Sequence, residues 1–176
     1  MPQNNVKKTT QMIVTLGILT ASCIVISMFL TIHTDVIKLT FTFIPIMIAA
    51  RLYGPVGGGL VAGLADIIGV IIQPLGFYPP IMITSIVVGV IFGFIFMKKY
   101  SFPRIIIAAV ISELIISLFV TTLWLHLLYG TPYLTLLLAR IPQILIMLAI
   151  KIAVPYPIFK ALDRIPIFKL QTSSKT

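Results

Sequence analysis

Residues Thr135–Leu148 read TLLLARIPQILIML, which sets an arginine, a proline and a glutamine inside an otherwise apolar run. A charged side chain at the centre of a membrane helix costs about 2.5–3.5 kcal/mol even on insertion scales, so such residues face a protein interior or a cavity. The same choice confronts the rest of the chain. Of its 176 residues 59% are hydrophobic and 10% charged, more apolar surface than one soluble domain of that length can bury. Apolar runs of about 17–25 residues read instead as membrane spans.

Six segments fit: Gln11–Ile32, Leu39–Tyr53, Pro55–Ile72, Pro80–Met97, Pro103–Leu128 and Tyr133–Lys160. The second is short for a crossing. Breakers mark the connectors, namely Gly54-Pro55 before Gly57-Gly58-Gly59, Gln73-Pro74-Leu75-Gly76, and Gly130-Thr131-Pro132. The expected architecture is an all-α, polytopic membrane protein. It comprises six transmembrane helices in one bundle, a single domain over residues 1–176 with short tails at about 1–10 and 161–176.

Charge orients it. Lys7, Lys8, Arg51, Lys98, Lys99, Arg104, Lys160, Arg164, Lys169 and Lys175 fall at the termini and even-numbered connectors, against Lys38 alone on the other side. Positive charge marks the cytoplasmic face, so both termini are expected in the cytoplasm. The formal charge of +9 is thereby assigned to topology and not to nucleic-acid binding. Lys7-Lys8 before an apolar run resembles a signal peptide, but no small-residue cleavage site follows, and segment 1 is expected to be retained.

Three segments each carry one polar face at helical spacing. Segment 3 shows Gly59, Gly63, Asp66, Val70 and Gln73; segment 5 shows Glu113, Ser117, Thr121 and Trp124; segment 6 shows Arg140, Gln143, Met147 and Lys151. Counting about 1.5 Å per residue from the external connectors puts Asp66, Trp124 and Arg140 at one depth, roughly 8–10 Å down. Glu113 and Lys151 lie deeper and read most simply as an ion pair or a snorkelling lysine. Asp66 with Arg140 also reads as a structural ion pair. Gly59-x-x-x-Gly63 and Gly89-x-x-x-Gly93 read as faces for close helix packing. The external loop QPLGFYPP (Gln73–Pro80) has the composition of a lid, with Pro74, Gly76 and Pro79 as its stiff and flexible points. Its Phe77 and Tyr78 read equally as membrane-interface residues.

Several chemistries are excluded. There is no G-x-x-x-x-G-K-[ST], H-E-x-x-H or G-x-S-x-G, and His33 and His126 lack metal-ligand spacing. A non-enzymatic binding pocket fits better than catalysis, with no metal and no cofactor of its own. Proton-coupled transport through Asp66 or Glu113 stays open.

Four stretches carry a family resemblance: KLTFTFIP (Lys38–Pro45), LYGPVGGGLVAGLADIIG (Leu52–Gly69), TLWLHLLYG (Thr122–Gly130) and ARIPQ (Ala139–Gln143). The chain resembles the substrate-binding (S) components of energy-coupling-factor vitamin transporters, most closely their folate-specific branch. LYGP followed by glycines is common to several S components; TLWLHLLYG is the more folate-like stretch. The resemblance implies a six-helix subunit in the bacterial cell membrane that captures a vitamin from outside. It implies delivery through a transmembrane coupling protein driven by two ABC-type ATPases, so that ATP is used by partner subunits only. It also implies a small-x-x-x-small docking pair on helix 1, here Gly17 and Ala21. Gly17 stands where the family more usually has alanine, and Met28 where many folate-branch members carry arginine.

A folate suits the residues. Asp66 can accept a pterin's adjacent N–H groups, and Trp124, Phe77 or Tyr78 can stack on the ring. Arg140 can donate as a fork to ring acceptors or a tail carboxylate, with Gln143, Gln73 and Thr121 adding polar groups. His33 and Lys38 would wait at the mouth for the tail. Another vitamin (thiamine, pantothenate or a queuosine precursor), a self-sufficient proton-coupled carrier and a ligand-free structural subunit remain alternatives.

Overall fold

The computed structural model describes residues 3–33, 38–72, 79–97, 101–162 and 164. Its elements are α1 (Gln3–Phe29), β1 (Thr31–His33), β2 (Lys38–Thr40), α2 (Phe43–Ile72), α3 (Pro79–Phe96), α4 (Phe102–Val110), a π-helical segment (Ile111–Thr121), α5 (Thr122–Tyr129), α6 (Tyr133–Ala153) and α7 (Pro155–Leu162). Among the described residues five helices are long and apolar enough to cross a membrane: Thr9–Phe29, Phe43–Ile72, Pro79–Phe96, Phe102–Tyr129 and Tyr133–Leu162. The chain is therefore a multi-pass membrane protein, helical apart from one small hairpin.

That hairpin corrects two expected boundaries. Segment 1 was expected to run to Ile32 and segment 2 to start at Leu39, yet these residues pair across antiparallel strands, Thr31 with Thr40 and Ile32 with Leu39. The run TIH and the run KLTFTF are dense in β-branched and aromatic residues, which favour extended backbone once the helix has ended. The Thr31 hydroxyl donates to Thr40 Oγ1 at 3.0 Å, closing the hairpin at its helical end.

The expected second and third segments form one helical run, α2, broken at Gly54 (φ 72°, ψ −155°). Only glycine takes this conformation cheaply, and Pro55, lacking an N–H, restarts a helix without wasting a donor. The break turns the chain back on itself. A Cβ on Gly57 would lie 2.9 Å from the carbonyl oxygen of Ala49, eight residues earlier. A straight helix would hold residues eight apart at about 12 Å. Ala49 and Val61 accordingly share one buried cluster with Leu16 and Cys23 of α1.

Helix α3 then lies against α2 at backbone contact. Gly58 and Gly89 touch through their main chains, Gly93 sits on Pro55, and none has room for a Cβ. In lipid, where tails are as apolar as leucine, such van der Waals approach is a main source of helix association. The expected close-packing role of Gly59, Gly63, Gly89 and Gly93 is what the structure shows, with Gly58 added to it. Around the first arm of α2 (residues 43–53) the largest core assembles. It joins Phe43, Met47 and Ala50 to Phe92 and Phe96 of α3, Ile105 and Ala108 of α4, Met147 of α6 and Phe159 of α7. Arg51 closes this end, donating to the Phe159 carbonyl at 3.1 Å and lying over the same residue's ring. Helix α1 stays at the margin, with Gly17 and Ala21 exposed together on its outer face.

Candidate functional site

The site lies where α6 faces the π segment and α5. A tight connector sets their register: Gly130 takes φ 66°, its N–H donates to the His126 carbonyl at 2.9 Å, and His126 Nδ1 lies 2.6 Å from the Thr131 carbonyl oxygen. Thr122 and Arg140 each lie nine residues from Thr131, so the turn brings them level.

The π segment decides which side chains meet α6. Its turn is wider than an α turn, with backbone bonds reaching five residues back. Ser112, Ser117 and Thr122, spaced five residues apart, all face cations of α6. Arg140 Nη1 donates to Thr122 Oγ1 at 3.2 Å and Nη2 to Ser117 Oγ at 3.4 Å. Lys151 Nζ donates to Ser112 Oγ at 3.4 Å and lies 2.5 Å from Glu113 Oε1. On α6 the two cations are eleven residues apart, three turns of an α-helix, and so share a face.

The two cations are treated differently. Lys151, 8% exposed, has a carboxylate partner and the rings of Phe43 and Phe92 at 5.6 and 5.9 Å. The deeper ion pair expected from the sequence is thus present. Among the described residues Arg140, 5% exposed, hydrogen-bonds to two neutral hydroxyls, and its Nε has no acceptor. The indole Nε1 of Trp124 is likewise sealed from solvent without an acceptor. Gln143, one turn along α6 from Arg140, is buried as well. Two unpaired donors inside one part of a bundle suit a ligand bearing acceptors, because each donor left unmade costs about 1–3 kcal/mol. Beside Trp124 an apolar recess of about 250 Å³ opens between α3 and the π segment, walled by Pro80, Thr84 and Val87 on one side and Ile116 and Val120 on the other.

The remaining expected site residues are distributed as follows. Asp66 is half-buried on the second arm of α2, and Pro79 is exposed at the first position of α3. Thr121 turns its hydroxyl to the Ile116 carbonyl at 3.3 Å, so the hydroxyl facing Arg140 belongs to its neighbour Thr122. An α-helical count selects Thr121; the π turn selects Thr122. The five-residue spacing of Ser112, Ser117 and Thr122 within an apolar run is the signal that points to it. Gln73, Pro74, Gly76, Phe77 and Tyr78 lie outside the described residues. Among the described residues no group of three His, Cys, Asp or Glu could hold a metal ion.

Comparisons with known proteins converge on this architecture. A folate transporter FolT of Clostridium novyi (strain NT) is 34% identical over 146 residues, covering 82% of this chain and 85% of that protein. A second folate transporter FolT, from Leuconostoc mesenteroides, is 30% identical over 158 residues, 85% of each chain. A solved crystal structure of FolT bound with folic acid is similar at a TM-score of 0.77 and 28% identity, covering 82% of this chain and 89% of the other. The family model described as "ECF transporter, substrate-specific component" matches residues 11–159, from the first membrane helix into α7. This multi-pass helical chain, matched over most of its length, belongs to the substrate-specific components of ECF transporters.

Proposed function

We propose that this chain captures folate at the outer face of the bacterial cell membrane and delivers it to an ATP-driven importing module. The observation that carries this reading is the pair of buried donors, Arg140 Nε and Trp124 Nε1, that the protein leaves without acceptors. A pterin supplies ring acceptors to both, and a flat face to the indole. Its adjacent N–H groups complement a carboxylate such as Asp66, with Gln143 and the lid residues Gln73, Phe77 and Tyr78 completing the enclosure. The similarity to two folate transporters and to a structure bound with folic acid supports the same ligand.

The reading takes α2 as two crossings bent at Gly54, hence six spans and both termini in the cytoplasm. Its partners are a transmembrane coupling protein and two ABC-type ATPases, which supply the energy. The exposed Gly17 and Ala21, with nothing within 4 Å of a Cβ on Gly17, offer a close-approach face for the coupling protein.

Two experiments test these parts. In a Cys23-free background, a cysteine at Thr131 should react with an impermeant thiol reagent from outside and one at Ser101 should not; the reverse pattern contradicts the orientation. Ala21→Leu should abolish uptake in cells while leaving folate binding by the purified chain intact. Loss of binding would assign that face to internal packing.

For the site itself, Asp66→Asn and Arg140→Lys should each weaken folate binding by roughly 1.5–3 kcal/mol, the worth of a hydrogen bond to a charged group. Trp124→Ala should weaken it too, by removing both ring contact and donor. Glu113→Gln strands Lys151 in the interior and should lower stability by about 3–5 kcal/mol. The affinity of the protein that does fold should change little. The outer site is wrong if Glu113→Gln alone disrupts binding in folded protein.

A further inference from the structure

The π segment supplies Arg140 with two hydroxyls that no α-helix of this sequence would bring together. Ser117 in the π segment and Thr122, the first residue of α5, are five residues apart, the span of one π-helical hydrogen bond, and each accepts from a different Nη nitrogen of the same guanidinium. Thr122 is fully buried, so its hydroxyl has no water to serve and its position is fixed by packing. With both Nη nitrogens engaged on that side, the guanidinium is restrained about its long side chain. The unpartnered Nε–H edge is therefore held in one direction. A free arginine side chain has many rotamers, so fixing it before the ligand arrives removes an entropic cost that binding would otherwise meet.

We infer that Ser117 and Thr122 are positioning residues for ligand capture: the π-helical turn builds a two-hydroxyl clasp that preorganises Arg140 toward an acceptor on the ligand. The inference rests on the reading that Arg140 touches the ligand. The clasp is neutral by necessity. A carboxylate in the place of either hydroxyl would satisfy the guanidinium internally, as Glu113 does for Lys151, and would compete with the ligand's acceptor.

The test is a double-mutant cycle on folate affinity of the purified full chain, with unliganded thermal unfolding followed in parallel. Thr122→Val keeps shape and removes the hydroxyl; Thr122→Ser restores it. Thr122→Val should weaken folate binding about tenfold and Thr122→Ser by less than about twofold. In the R140K background, Thr122→Val should cause less than about a twofold further change, because the clasp then has no fork to hold. Should Thr122→Val not yield folded protein, Ser117→Ala carries the same cycle. Equal effects of Thr122→Val with and without Arg140→Lys overturn the clasp while leaving Arg140 in the site. Arg140→Lys without effect on folate affinity removes Arg140 from the site and overturns both readings.

Discussion

A guanidinium enclosed in the bundle and hydrogen-bonded to two hydroxyls is the constraint around which the rest of this structure is arranged. Helix α6 carries two cations on one face, and the protein solves the two differently. Lys151 receives Glu113, a serine and two aromatic rings, which together neutralise and cover it. Arg140 receives Thr122 and Ser117, which accept from its two Nη nitrogens. A charge within a membrane protein is costly, and among the described residues no carboxylate lies in salt-bridge contact with Arg140, whereas Glu113 pairs directly with Lys151 three turns away. That difference is what the proposed ligand contact at Arg140 rests on.

Holding that charge in place falls to packing. Hydrophobic burial gives little advantage between helices in lipid, so close approach and interhelical polar contacts carry the association. The glycines of α2 and α3 allow main-chain contact, which anchors the two arms of α2 against α3. The first arm then presents Phe43 and Met47 to α6 and fixes that helix from behind. On the other side, the tight turn at Gly130 locks α5 to α6 in register. Arg140 is thus framed by packed helices, which suits the ligand contact proposed for it. Helix α1, by contrast, is exposed along the face carrying Gly17 and Ala21, which leaves it available for a partner without disturbing the interior.

Much of this was readable from residues alone, and what was missed has definite physical causes. Membrane helices, the break at Gly54-Pro55, the glycine packing faces and the Glu113–Lys151 pair all follow from hydropathy, breakers and periodicity, which are local signals. The hairpin at Thr31–Thr40 was absorbed into neighbouring helices because its residues are as apolar as a span, and hydropathy does not distinguish strand from helix over three residues. The short second segment has its explanation in the same place: the helix begins at Phe43, after the strand. Thr122 escaped notice because the polar stripe was counted at 3.6 residues per turn, and the π segment runs wider. Counting along the helices places Asp66, Trp124 and Arg140 at one expected depth, and the structure adds that Arg140 meets the hydroxyls of Ser117 and Thr122. The hydroxyl partners of Arg140 depended on a backbone irregularity that composition does not announce.

The reading comes down to whether this interior receives a folate. Trp124 is the protein's one tryptophan, and its buried indole N–H has no acceptor among the described residues. Its intrinsic fluorescence therefore reports on the site with no label and no background from other tryptophans. Titrating the purified chain with folate should give saturable quenching with about one ligand per chain, whereas thiamine and pantothenate at the same concentrations should leave the emission unchanged. Saturable quenching by either of those vitamins, with folate inert, would contradict the account.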